Sequence, residues 1–582
     1  MEINGKEWVN DTPLSERWPL YTRGNVGEVF PDAVTPLVWS ICGQANEDSW
    51  REAWWKFGLV AKGDFDQDRV IVCTVGGYAY LNMSYIRLLG VRTPGTTVKE
   101  VDKSLLGEAD APKYIPRRRD NSFYSSLRLL WRNQVILRTR RVRLVEKMQK
   151  ISADWVAKYP GDDASDEALL TYIEDFKKPY HFLFGNHVFV TFCATNAAGN
   201  VALLCAMKVK DPGLTLDLLS GVEGVESAEP ARFLWTLGRL VNASPALTKV
   251  FEAGVDADTW PALQQMPEAE EFVRVFNEFI ARYGYRGSNE WEFAAPSWRM
   301  RPHVPLRAVD RMRLSSEENA PGADYAEQAK NAAIAKRYAK RKLWPMDRLK
   351  FRHALPSAKA WQIAREASKS SVIRAMDQTR RAMNLVFERV AQQQGVADPQ
   401  DFFMLTWPEF LEQARGEADH LALIEDRKID YAKIKERVPP FMFEGTPPPL
   451  DEWKLREGTV ETAGQKGDIL EGIGGSPGRV VGRARIVLDT ENPDVLEPGD
   501  ILVAPITDPS WTPLFLAAEG VVVDVGAVMS HSVIVSRDLG IPCVVSVTDA
   551  TRIIPDGALI EIDGDIGSVT ILDPDGPAVS AA

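Results

Sequence analysis

Apolar residues recur at three-to-four spacing along most of the chain from about residue 120 to 420, the period of a helix with one buried face. The pattern predicts helices over Ser126–Lys150, Glu167–Phe176, Glu268–Tyr283, Ala323–Leu343 and Ala358–Gln394. After Pro439 it changes. The segment PPFMFEGTPPPLDEWKLREGTVETAGQKGD is rich in Pro and Gly and has little periodicity, which predicts a surface linker over 440–466. From about residue 467 the chain becomes short Val/Ile-rich runs separated by turns: RVVGRARIVLD, DILVAPI, GVVVDVG, PCVVSV, ALIEID and SVTIL. Between two of these runs lies SVIVSRDL, followed by Gly540 and Pro542, the ending expected of a short helix. The reading is a multidomain α+β protein. Residues 1–439 form a mainly helical body, 440–466 a linker, 467–574 a β/β/α domain and 575–582 a tail.

Composition adds little until it is divided. The chain of 582 residues has 69 Lys/Arg against 81 Asp/Glu, a net charge of −12, and 45% hydrophobic residues, enough for several cores. Residues 467–582 carry 5 basic and 18 acidic side chains, a net charge of −13 that exceeds the net charge of the whole chain. The preceding part is close to neutral, although Lys113–Lys150 holds 12 basic and 2 acidic residues. A net-acidic chain argues against nucleic-acid binding, and that basic stretch reads as a solvated helix face. An acidic domain of this kind would be steered toward basic surfaces.

The five cysteines are widely spaced, with no metal-site spacing, and predict reduced thiols in the cytoplasm. The N-terminus has no secretory pattern and no apolar run suggests a membrane span, so neither membrane nor metal is expected. Seventeen tryptophans, six of them in the first 60 residues, suggest an aromatic cavity or simply core.

The chemistry concentrates in GAVMSHSVIVSRDLGIPCVV, residues 526–545. His531 follows a glycine-containing turn and opens a short helix, where backbone N–H groups and the helix dipole favour a phosphate. Ser530 and Ser532 add hydroxyls on either side, and a neutral imidazole is a competent nucleophile near pH 7. The residues alone allow either a phosphorylated histidine or an ordinary one at a helix start. In a second region, Arg365 and Lys369 are four apart and share one helix face. Such a pair either clamps a phosphoryl group or is merely solvated.

Ser530, His531, Ile534, Val535, Arg537, Gly540, Ile541 and Pro542 resemble the phosphohistidine swivelling domain shared by PEP synthase, pyruvate phosphate dikinase and rifampin phosphotransferase. Asp538 stands where that pattern has Glu, and Ala527 where it has its second Gly. Gly475–Gly478 with Gly482–Ala484, Pro498–Val503 and Thr507–Pro513 are similar to further motifs of the same domain, in order. The resemblance implies that His531 is the phosphocarrier, supported by Ser530, Ser532 and Thr507. The stretch 361–381 resembles the substrate-side helix of rifampin phosphotransferase-like enzymes, which implies that Arg365 and Lys369 bind the phosphoryl group. Residues 22–37, 282–299 and 396–411 extend the likeness. In them Arg286, Glu290 and Glu292 are either substrate-side or core groups. His181 and His187, in an apolar context, are either core histidines or a general base.

From this sequence no ATP-grasp unit is expected before residue 22 and no barrel after His531. The resemblance therefore implies a two-component arrangement like phenylphosphate synthase or the hydroxyacetophenone dikinases. A separate ATP-grasp subunit, binding ATP and Mg, would leave the β-phosphoryl on His531, with AMP and phosphate as products. The acceptor would be a small aromatic, phenolic hydroxyl. A rifamycin-type antibiotic phosphotransferase component, or a non-catalytic binding or regulatory relative, is the alternative.

Overall fold

The computed structural model describes residues 9, 14–61, 64, 71–106, 111–211, 213–219, 229–314, 320–321, 325–455, 464–488, 496, 499–507, 511, 514–515, 518–526 and 530–576. It divides into two compact units, each made of three chain segments. The first comprises 1–197, 289–295 and 360–458, the second 198–288, 296–359 and 459–582. Twelve strands and nine principal helices carry the argument. The helices are α1 (Pro36–Phe57), α2 (Phe123–Arg138), α3 (Lys177–Leu204), α4 (Glu229–Ala243), α5 (Glu270–Tyr283), α6 (His303–Leu314), α7 (Tyr325–Lys342), α8 (Pro345–Gln394) and α9 (His531–Leu539).

In the first unit, α1 begins at Pro36, whose fixed φ suits the first helical turn. It stops at Gly58, where φ is +101° and the N–H returns to the carbonyls of Trp54 and Trp55. A four-stranded antiparallel sheet accompanies the helices: β1 (Leu20–Thr22), β2 (Val72–Val75), β3 (Tyr78–Asn82) and β4 (Met442–Glu444), in the order β2-β3-β1-β4. Tyr21 sits opposite both Asn82 and Phe443.

The linker expected over 440–466 is corrected by this sheet. Its first part supplies β4, and Phe443, Leu450 and Trp453 are buried against Tyr78 and Tyr80. Apolar side chains placed between prolines gave no periodicity, yet each finds a core position. Residues 456–463 lie outside the described residues. The helix expected over Ser126–Lys150 is two, α2 and a second over Arg143–Ala157. On α2, Phe123, Tyr124 and Trp131 are exposed beside basic residues.

One helical run, 166–209, is long and apolar enough to cross a membrane by length and composition, unlike the expectation from the sequence. In the structure its Leu183, Val190, Cys193 and Val201 are fully buried within the protein, which accounts for the apolar character. None of the five cysteines forms a disulfide, and all five are buried.

The second unit has a helical part built on an aromatic ladder. Phe272, Phe276, Phe279 and Tyr283 recur at helical spacing on α5, and Phe279 stacks on Trp298 at 5.8 Å. Its other part is an eight-stranded sheet: β5 (Ile469–Glu471), β6 (Ile473–Ser476), β7 (Arg479–Ile486), β8 (Asp500–Ala504), β9 (Gly520–Val523), β10 (Cys543–Val545), β11 (Leu559–Asp563) and β12 (Ser568–Asp573). The order is β5-β12-β11-β7-β8-β9-β10-β6, with β7 through β10 parallel and the flanking pairs antiparallel. Strand β8 is buried on both faces, as parallel strands are. Ile501 and Val503 join one core, while Leu502 and Ala504 join the other. Helix α9 packs its Val533 and Val535 into the second of these. The architecture is α+β, a mainly helical region followed by a mixed sheet.

Candidate active site

The start of α9 is built by its neighbours. Ser530 occupies the N-cap with extended backbone, so the chain enters the helix at His531. Ser530 and Ser532 are buried, and their hydroxyls lie 2.8 Å apart. The side chain of His531 lies outside the described residues, whereas its backbone is the first helical position. At the other end Gly540 takes φ +75°, and Ile541 N–H bonds Ser536 O at 3.0 Å, which closes the helix. Arg537 Nε donates to the Gly475 carbonyl at 2.7 Å, tying α9 to β6. From α7, Gln328 Nε2 donates to the Arg537 carbonyl at 3.1 Å. Gly475 permits close packing, because a Cβ there would stand 2.7 Å from Val533 Cγ2.

Thr507 is buried just past β8, while the rest of its motif, Asp508–Ser510 and Thr512–Pro513, lies outside the described residues. Sequence reasoning missed Asp524, at the end of β9. Its carboxylate accepts from Thr551 N–H at 2.8 Å and from the Thr551 hydroxyl, and burial pushes its pKa up to about 7.

The first unit brings a second set of predicted residues together. Arg365 and Lys369, one turn apart on α8, are both partly accessible. Lys369 Nζ lies 3.2 Å from Glu290 Oε2, and Arg365 Nε is 3.9 Å from Glu366 Oε1. His187 on α3 reaches the same helix: its Nδ1 is 2.8 Å from Ser368 Oγ, and Ser368 Oγ donates to the Arg365 carbonyl at 2.7 Å. The Trp291 ring lies 5.9 Å from the imidazole, with Phe184 edge-on to Trp291 at 5.5 Å. Burial first, then the charges of Arg365 and Lys369, lower the His187 pKa to about 3, so the ring is neutral at pH 7.

The segment 289–295 that carries Glu290 and Trp291 is clamped by Arg380. That buried guanidinium donates to the carbonyls of Glu290, Glu292 and Phe293 at 3.0–3.2 Å and to Asp377 at 3.0 Å. Glu292 meets other partners. Its carboxylate accepts from Thr35 N–H at 3.2 Å, from the Thr35 hydroxyl at 2.9 Å and from Ala294 N–H, tying down the start of α1. Burial raises its pKa to about 7.

Arg286 belongs to the second unit, buried with its guanidinium 5.3 Å from the Tyr285 ring, and Trp298 N–H donates to its carbonyl at 2.7 Å. His181 pairs with Glu52 at 3.4 Å on the half-exposed side of α3. Of the substrate-side candidates of the first unit, therefore, His187 and Glu290 join Arg365 and Lys369, whereas Glu292 contacts Thr35 and His181 contacts Glu52. Ser368 and Trp291 were missed. Ser368 follows Arg365 by three positions, the helical spacing that was the available signal. Among the described residues no group of three or more His, Cys, Asp or Glu is placed to hold a metal.

Comparison with known proteins matches each region to its own counterpart. Residues 186–366 match the rifampicin phosphotransferase fourth domain. Residues 496–567, which contain Ser530, His531 and Ser532, match the PEP-utilising enzyme mobile domain. These matches support placing the chain with the PEP-utilising, phosphohistidine swivelling-domain proteins.

The chain is 27% identical to the prodigiosin synthesizing transferase PigC of Serratia marcescens, over 97% of this chain and 64% of that protein. It is 30% identical to the rifampicin phosphotransferase of Streptomyces sviceus, over 60% of this chain and 40% of that enzyme. A rifampicin phosphotransferase of Bacillus subtilis is 27% identical over 50% of this chain and 34% of its own length. The chain thus spans between about a third and somewhat under two thirds of these relatives' lengths.

Proposed function

We propose that the chain carries a phosphoryl group on His531 and delivers it to the hydroxyl of an aromatic organic acceptor, in the manner of a rifamycin-type phosphotransferase. The observation that carries this reading is that the fourth-domain match, 186–366, contains His187 and Arg365, two groups that Ser368 ties together. A histidine at a helix start gains a phosphate site from backbone N–H groups and the helix dipole. Two cations one turn apart suit the charge spread over a transferring phosphoryl group. Trp291 and Phe184 beside them favour a flat aromatic acceptor. The phosphoryl group originates as the β-phosphate of ATP, with Mg, on an ATP-grasp unit or subunit outside these residues. Five buried cysteines without a disulfide suit a reducing compartment such as the cytoplasm.

The test uses the chain with an ATP-grasp protein and ATP labelled at the β-phosphate. Acid-labile, base-stable label on the chain, lost in H531A and chased onto rifampicin, is the expected result. Phenol and hydroxyacetophenones, also in the panel, distinguish a simpler aromatic acceptor. A chain that takes no label from ATP, and none at His531 from phosphoramidate, overturns the carrier role.

A further inference from the structure

The hydrogen-bond chain around His187 fixes more than its position. Ser368 has a single hydroxyl proton, and it is directed to the Arg365 carbonyl at 2.7 Å. Toward His187 Nδ1, 2.8 Å away, the same oxygen can therefore only accept. Nδ1 must carry the ring proton, and in a neutral imidazole that leaves the lone pair on Nε2.

The Ser368 link also couples the imidazole to the phosphoryl-binding pair. Ser368 stands between Arg365 and Lys369 on α8, and the carbonyl that orients it belongs to Arg365 itself. Trp291 flanks the ring, so its plane is held on a second side.

We propose that His187 is the general base that takes the acceptor's hydroxyl proton on Nε2, and that Ser368 is the positioning residue that fixes its tautomer. The inference rests on the phosphoryl-transfer reading above. In the step, the acceptor oxygen forms a bond to phosphorus as its proton passes to His187 Nε2. The N–P bond of phosphohistidine 531 breaks, and its electron pair returns to the imidazole of His531. The proton on His187 is then released to water. The depressed basicity of His187 fits this order of events. Its main cause is burial, and the remainder is the charge of Arg365 and Lys369, which an arriving phosphoryl dianion neutralises. Lys369 is already partly neutralised by Glu290, at 3.2 Å. The base thus gains proton affinity when the group to be transferred is in place.

The experiment charges the full chain with potassium phosphoramidate and measures occupancy at His531 by mass spectrometry to normalise each variant. Single-turnover transfer is then followed to phenol and to 4-nitrophenol at mildly alkaline pH, where the nitrophenol is already ionised. For H187Q, transfer to phenol should fall by roughly 100-fold or more, while transfer to nitrophenolate changes by less than about threefold. Free imidazole should restore part of the phenol activity in H187A. Nitrogen-15 spectra of the histidine-labelled protein should show His187 protonated on Nδ1 in the wild type, a mixture of tautomers in S368A, and the wild-type state again in S368T.

Equal losses with both acceptors, or none with either, overturn the base assignment while leaving the functional reading intact. A wild-type ring protonated on Nε2 overturns it as well. A wild-type chain that charges but transfers to no hydroxyl overturns the functional reading, and the inference with it.

Discussion

Lys369 Nζ stands 3.2 Å from Glu290 Oε2, and the carboxylate side chain is 1% exposed while the lysine is 20% exposed. The cation proposed to bind phosphate and a buried anion thus share one contact. On that proposal an arriving phosphoryl group would compete with Glu290 for Lys369. Replacing Glu290 by Gln removes the competitor, and inorganic phosphate should bind about fivefold tighter to E290Q, a gain of about 1 kcal/mol typical of one partly exposed pair. K369M should do the opposite and also cost about 2 kcal/mol of stability, because a buried carboxylate loses the cation facing it. Calorimetric phosphate titration and denaturant unfolding check the two.

Arg380 holds 289–295 through three carbonyls and Asp377. R380M should destabilise the protein by about 3–5 kcal/mol, since several buried acceptors lose one planar donor at once. Lysine should not rescue it, because a single ammonium cannot span that fork. Thermal unfolding of R380M and R380K gives the answer.

Glu292 has its pKa raised to about 7 by burial, above the ordinary value of 4.5. The folded protein binds a proton there that the unfolded chain releases, so its contribution to stability is complete below about pH 4.5 and is lost as pH rises toward 7. Asp524, raised from 3.8 to about 7, acts in the same direction. E292Q and D524N should each flatten the fall in stability between pH 5 and 7, by on the order of 2 kcal/mol for each group. Denaturant midpoints across that range measure it, and parallel curves for wild type and variants would contradict it.

Gly475 lies where a methyl group would stand 2.7 Å from Val533 and 3.2 Å from the Cys543 carbonyl. G475A should cost about 1–3 kcal/mol through overpacking and should push α9 from its seat. Charging of His531 by phosphoramidate is expected to slow more than that of G482A, in a strand remote from the helix.

What could be read from the sequence follows from range. The strands β7–β12 and helix α9 announce themselves through short Val/Ile-rich runs between turns and through Gly540, because their partners lie within about 110 residues of one another. Arg365 and Lys369 share a face by helical spacing alone. The pairing of β1 with β4 could not be read, because three-residue strands carry no period and their partners lie in distant segments. Glu290 and Glu292 illustrate the same limit within one short stretch. Two carboxylates two positions apart have different tasks because Lys369 meets one and Thr35 the other.

The pairing of Leu20–Thr22 with Met442–Glu444 has a consequence for biosynthesis. On a ribosome adding roughly 5–20 residues per second, strand β1 waits on the order of 20–80 s for that neighbour to emerge. During that interval one of its backbone edges is a template for any other extended chain. The segments of the second unit that come between must also leave the tunnel first. The first unit of this protein thus begins first yet cannot close until residues near 444 have emerged, and its nascent chain is a natural client for chaperones that shield strand edges.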